Sequence, residues 1–200
     1  MKKRIISLTS FLLLLLFLLS SGCTTRIAPK PLQPGDIDLD SNIISKEKDG
    51  IRISVQSMEW KYYPYNLDNF YTPMLFLIRN NTDKKVSFKA SDLVLVDDKG
   101  NQFNAVDPGI VERIMTPRGY GQGFYPPSFY YGGYLPQPGF GYYSTAPTDI
   151  TLLSISEGDI FPGSQVRGFI YFKKAVIYGK NIKLKANIGA SSEEFEFEIR

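Results

Sequence analysis

One cysteine, Cys23, and no histidine set the chemical limits of this 200-residue chain. Without histidine there is no ordinary general base near pH 7, no imidazole ligand for a metal and no histidine-containing triad. With a single cysteine there is no internal disulfide, no CxxC pair and no thiolate cluster. Carboxylates, Lys and Tyr remain for acid–base work, and no spacing among them marks a catalytic constellation. The sequence therefore reads as non-catalytic, with no cofactor and no metal site expected. The nearest approach to an acidic ligand set is Asp92, Asp97, Asp98 and Asn101. Its spacing is not that of an EF-hand, and Asp-Lys-Gly-Asn is a common hairpin turn, so a turn is preferred over a calcium loop. Residues 119–123 (GYGQG) are not a phosphate loop, because no strand-to-helix unit or Lys accompanies them.

Aromatic side chains are the other candidates for binding. Residues 117–147 hold ten aromatics, seven Gly, six Pro and one charge, Arg118. The rings are Tyr120, Phe124, Tyr125, Phe129, Tyr130, Tyr131, Tyr134, Phe140, Tyr142 and Tyr143. Gly and Pro deny regular helix or sheet, while so many rings resist full solvation. Three readings compete: a disordered insertion with no specific partner, a segment that docks on protein or glycan, and rings resting at a membrane interface. A smaller cluster, Trp60, Tyr62, Tyr63 and Tyr65 around Pro64, suits core packing as well as it suits a binding surface.

Cys23 closes a leader. Lys2, Lys3 and Arg4 begin it, residues 5–19 are mostly apolar, and Ser20, Ser21 and Gly22 precede the cysteine. This is the layout of a signal peptide, and the apolar stretch falls short of the roughly twenty residues that span a bilayer. Small residues ending on a cysteine resemble the lipobox of bacterial lipoproteins. The resemblance implies cleavage before Cys23, diacylation of its sulfur and acylation of its new amino terminus. Where that family usually has Leu three residues before the cysteine, this chain has Ser20, with Leu19 one step further out. Thr24, in place of the Asp that retains enteric lipoproteins at the inner membrane, is compatible with an outer membrane and exposure to the periplasm or cell surface. Two or three acyl chains make attachment stable where one binds only marginally.

The formal charge of +3 counts 23 basic against 20 acidic residues, and three of the basic ones lie in the leader. The remaining chain is neutral and offers no electrostatic footprint for nucleic acid. The expected partners are a membrane, through the lipid, and an envelope protein.

The elements that must position these residues are strands. Pro29, Pro31, Pro34 and Gly35 make residues 24–40 a stiff, extended tether. Beyond it, Ile51, Ile53 and Val55 alternate with polar residues after the hairpin dipeptide Asp49-Gly50. Residues 74–78 (MLFLI) are apolar throughout, as in a central strand covered on both faces. Further strands are expected over 86–90, 93–96, 103–106, 150–155, 166–172, 182–188 and 195–199, with one short helix over 109–115. In the last hairpin a turn over 189–192 sets Ala186 opposite Phe195, Leu184 opposite Phe197 and Ile182 opposite Ile199. Its other face sets Lys185 against Glu196 and Lys183 against Glu198, so the acidic tail reads as a solvated strand face. About nine short strands with turn signals between them predict an all-β, antiparallel sandwich.

The stretch 71–98 (YTPMLFLIRNNTDKKVSFKASDLVLVDD), with FPGSQVRGFIYF at 161–172, resembles uncharacterised immunoglobulin-like domains of bacterial lipoproteins. The shared features are an apolar strand ending in Asn, a Leu-bearing strand before an Asp-x-Gly turn, and a Pro-Gly step into a Gly-containing strand. The resemblance covers about half the mature chain and implies fold and compartment, not activity. The expected organisation is a signal peptide over 1–22, a lipidated N-terminus and tether over 23–40, and an immunoglobulin-like β-sandwich over 41–200, with 117–147 as a long loop. The expected function is a non-catalytic, lipid-anchored envelope protein that presents this domain for interaction or assembly. The alternatives are a glycan- or membrane-surface-binding module and, further off, a carboxylate-based hydrolase.

Overall fold

The computed structural model describes residues 27–116, 148–174 and 180–199. Cys23 and the ten aromatics of 117–147 lie outside the described residues. The strands are β1 (Ile27–Pro29), β2 (Asp36–Asp38), β3 (Ile43–Lys48), β4 (Ile51–Ser57), β5 (Tyr71–Asn80) and β6 (Val86–Phe88). They continue as β7 (Leu93–Asp97), β8 (Gln102–Val106), β9 (Gly158–Ile160), β10 (Gln165–Lys173), β11 (Asn181–Ile188) and β12 (Ser191–Ile199). Two short helices, α1 (Pro108–Met115) and α2 (Asp149–Leu152), stand either side of residues 117–147.

Ten strands form one antiparallel sheet in the order β1-β12-β11-β7-β8-β10-β5-β4-β3-β2, and β6 pairs with β9 beside it. The sheet folds over at β8, which pairs with β7 on one side and meets β10 only at Tyr171 and Phe172 on the other. Its two ends then face each other. Lys46 of β3 donates to the Glu194 carbonyl of β12, and its ammonium lies 5.2 Å from the Phe195 ring centroid. The result is a β-sandwich approaching a barrel. The inward residues of both halves fill one core: Ile53 and Val55, Met74, Phe76 and Ile78, Ile170 and Phe172, Leu184, Phe195 and Phe197.

Several expectations hold at the level of backbone geometry. Asp49 and Gly50 both take positive φ, 51° and 77°, as a two-residue hairpin turn requires. β4 alternates buried and half-buried positions along its whole length. Asn80, at the end of the apolar strand, is fully buried, and its amide donates to the carbonyls of Lys84 and Ile160 while accepting from the Thr82 N–H. One side chain thus joins the 82–84 turn to the end of β9.

Other expectations are corrected. In the last hairpin the faces are as expected but the register differs by two: Ile182 pairs with Phe197, Leu184 with Phe195, Lys183 with Glu196 and Lys185 with Glu194. Gly189 at φ 60° closes a two-residue turn with Ala190, and a shift of two residues leaves every side chain on its face. The strand expected over 150–155 is instead α2 followed by a parallel bridge from Ser154 to Phe169. Ile150 and Leu153 share a helical face toward the apolar cluster described below, which overrides their strand propensity. The tether is sheet from Ile27 onward: β1 pairs with β12 and β2 with β3. Between them Gln33 continues the β12 edge with its side chain, donating to the Glu196 carbonyl and accepting the Glu196 N–H. Pro29 sits in an outermost strand, where its missing donor is tolerated.

Candidate interaction site

A strand buried on one face only exposes alternate side chains. β5 over residues 71–75 and β10 over residues 169–172 do not, because the outward residues there are also apolar. Tyr71 and Leu75 from β5 and Phe169 and Tyr171 from β10 form a second apolar cluster outside the sheet, with Trp60, Leu67, Val111 and Ile150 closing over it. The 58–70 connection between β4 and β5 supplies Trp60, whose ring meets Phe169 edge-on at 5.1 Å and Tyr171 at 5.8 Å. Such edge-to-face pairs add to what burial alone contributes.

Polar handles fix the irregular backbone here. Trp60 Nε1 donates to the Pro64 carbonyl at 3.0 Å, and Tyr171 Oη donates to the Ile150 carbonyl at 2.8 Å. Asp68 accepts the Trp60 N–H at 2.8 Å, and partial burial raises its carboxyl above the usual range. Burial likewise pushes the Tyr171 phenol far above its ordinary range, and the neighbouring Asp149 charge adds to the shift. Asp149 in turn accepts the Tyr63 N–H at 2.8 Å, joining the 58–70 connection to α2.

The two helices are set by their own caps and by one carboxylate. Asp107 accepts the Ile110 N–H and opens α1, with Pro108 at its first position. Val111 enters the cluster, while Ile110 and Ile114, one turn apart, remain 40% and 57% exposed. Glu112 accepts the Thr148 N–H at 3.2 Å and the Thr151 hydroxyl. It therefore ties α1 to the start of α2. Leu152 of α2 is 63% exposed. The two helices that flank residues 117–147 thus carry an apolar outer surface.

The sequence-predicted cluster around Pro64 is divided by the fold. Trp60 is buried, whereas Tyr63 and Tyr65 project to solvent. The four residues weighed as a calcium loop are not brought to one centre. Asp97 accepts from the Lys99 and Asn101 N–H groups and from the Asn101 amide, which holds its carboxyl below the usual range. Asp98 accepts the Lys180 N–H, and Asp92 lies beyond the far end of β7, accepting the Lys89 N–H.

Compared with protein families, the chain matches no family model, and no curated protein matches it. A solved structure, a functionally unknown protein from Listeria monocytogenes EGD-e, is similar over 89% of this chain and 85% of that one. Its identity is 10% and the TM-score 0.38.

An open cleft of about 550 Å³ runs where β8 and β10 part, lined in part by Asn104, Asp107, Glu157 and Tyr171. Its two carboxylates already serve the backbone: Asp107 caps α1, and Glu157 accepts the Ala90 N–H at 2.7 Å. Sequence reading missed Phe169, Tyr171, Glu112 and Gly168 as site-forming residues. The signal for the first two was present in the unbroken apolar run 168–172 (GFIYF), which implies cover on both faces. A Cβ on Gly168 would lie 2.3 Å from Ile155 N and 2.4 Å from its Cα, so only Gly lets that backbone cross β10.

Proposed function

We propose that this protein is a non-catalytic, lipid-anchored component of the bacterial cell envelope that presents an immunoglobulin-like sandwich to a protein partner. The lipid anchor is Cys23, and the membrane facing the periplasm or cell surface is its compartment. The observation that carries the presenting role is the exposed apolar flank of Ile110, Ile114 and Leu152 on the two helices joined by residues 117–147. Apolar surface beside an aromatic, nearly uncharged segment is the composition of a contact surface rather than of a solvated loop. The non-catalytic reading draws on the absent histidine and on carboxylates in the cleft that are engaged with backbone N–H groups. The immunoglobulin-like reading draws on the apolar strand ending in buried Asn80, the 98–101 turn and the Pro162-Gly163 step.

Two experiments test the proposal. Cys23→Ser should release the protein from membranes, and retention of that variant in the membrane fraction with its leader removed would refute the anchor. Deletion of residues 120–143 should leave the sandwich folded and abolish crosslinking to an envelope protein in intact cells. Unchanged crosslinking would count against the presenting role.

A further inference from the structure

Because every neighbouring pair in the large sheet is antiparallel, one end of the sandwich gathers a defined set of strand termini. β1, β11, β8, β5 and β3 start there, and β12, β7, β10 and β4 finish there. The contacts agree: Ile27 pairs with Ile199, the Ile199 N–H reaches the Lys180 carbonyl, and the Lys174 N–H reaches the Phe70 carbonyl. Two facts meet at this end. Ile27, where β1 starts, is four residues after Cys23, a reach of at most about 14 Å. The 58–70 connection also lies there and exposes Tyr65 by 77%, Phe70 by 56% and Tyr63 by 54%. Leu39, in the 39–42 turn at the same end, is 43% exposed. This end also holds the polar 98–101 turn; elsewhere Leu32, Ile110, Ile114 and Leu152 are exposed as well, while Phe161 stands beneath the Lys85 ammonium.

We propose that this end of the sandwich lies against the bilayer, with Tyr63, Tyr65, Phe70 and Leu39 seated at the lipid headgroup level. The inference rests on the lipid anchor proposed above. An anchor four residues from β1 cannot hold the domain far from the surface, and the side chains it presses there are of the kind enriched at membrane interfaces. Tyr suits the position, with an apolar ring for the acyl boundary and a hydroxyl for water. The near-neutral charge of the mature chain favours contact through rings rather than through attraction to anionic lipid.

The test uses the full-length lipidated protein in phosphatidylcholine vesicles. Acylation consumes the thiol of Cys23, so Tyr65→Cys carries a single reactive site for an environment-sensitive fluorophore. Phe70→Cys supplies a second site on the same rim, and Ala190→Cys labels an exposed turn at the opposite end. Labels at 65 and 70 should shift to the blue and lose intensity to nitroxide-bearing lipid, while the label at 190 should do neither. Equal water exposure at all three sites in protein that still floats with the vesicles would overturn the proposal and leave the anchor intact. Failure of the wild-type protein to fractionate with membranes, with no acyl mass on Cys23, would overturn the anchor and this inference with it. Shielding at 65 in intact cells but not in vesicles would overturn it in favour of a protein partner.

Discussion

β5 and β10 belong to two apolar clusters at once, and the clusters are built differently. The inner one is made almost wholly by strands and packed with Ile, Leu, Val and Phe, side chains without a polar atom. The outer one has strands on one side only, and a connection and two short helices on the other. It relies on Trp60 and Tyr171, which spend their polar atoms on the Pro64 carbonyl of the 58–70 connection and on the Ile150 carbonyl of the one-turn helix α2. Strand backbone is already satisfied by its ladder, so apolar packing is enough. Irregular backbone brought against a sheet has carbonyls that need partners, and aromatic residues with a donor supply packing and hydrogen bond together.

If the inner cluster is the main core, its truncation should cost most. Phe76→Ala removes a fully buried ring where strands on all sides prevent collapse, and should lose about 4 to 5 kcal/mol in urea unfolding. Gly168→Ala attacks the joint between the clusters, since Ile155 crosses beneath Gly168 and enters the inner core. Its methyl meets backbone, which cannot rotate away, so about 3 kcal/mol of overpacking strain is expected. A neutral Gly168→Ala would mean that the 153–155 segment is free to lift off β10.

Trp60→Ala should cost less than Phe76→Ala, about 2 to 3 kcal/mol, because the 58–70 connection can settle into part of the space. Equal losses would make the outer cluster a second core rather than an annex of the first. Trp60 is the chain's single tryptophan, so its fluorescence reports the outer cluster while far-ultraviolet circular dichroism reports the sheet. Coincident transitions are expected if one cooperative unit spans both.

The same contrast explains how much could be read from the residues. The inner core follows period two, so Ile51, Ile53, Val55 and the faces of β11 and β12 were legible directly. Register was not, because a period of two cannot distinguish pairings that differ by two, and only the length of the turn at Gly189 decides. Pairing of β1 with β12 was illegible for another reason: it joins residues near opposite ends of the chain, and Pro29 locally argues against a strand. The outer cluster was half legible. Its aromatic residues stood out around Pro64, but whether they packed or projected depended on Phe169, Tyr171 and α2, distant in sequence. The fold assigns both roles, Trp60 inward and Tyr65 outward.

The smallest expected effect isolates one polar handle. Tyr171→Phe keeps the ring beside Trp60 and Phe169 but removes the donor to the Ile150 carbonyl, and should cost about 1 kcal/mol near pH 7. Its pH dependence is more telling than its size. The folded state raises the Tyr171 phenol well above its ordinary value of about 10, by burial first and by the Asp149 charge second. Below pH 10 the phenol is protonated in both folded and unfolded chains and contributes no slope. As pH rises past 10 the unfolded chain gives up this proton and the folded chain keeps it. The unfolded state then binds fewer protons, and stability falls with pH. Tyr171→Phe should therefore be slightly less stable at neutral pH yet lose stability less steeply between pH 10 and higher values. A wild type and variant with parallel stability curves above pH 10 would show that water reaches this hydroxyl. The outer cluster would then be a loose cover on the sheet, and the difference between the two clusters would be one of order as well as of composition.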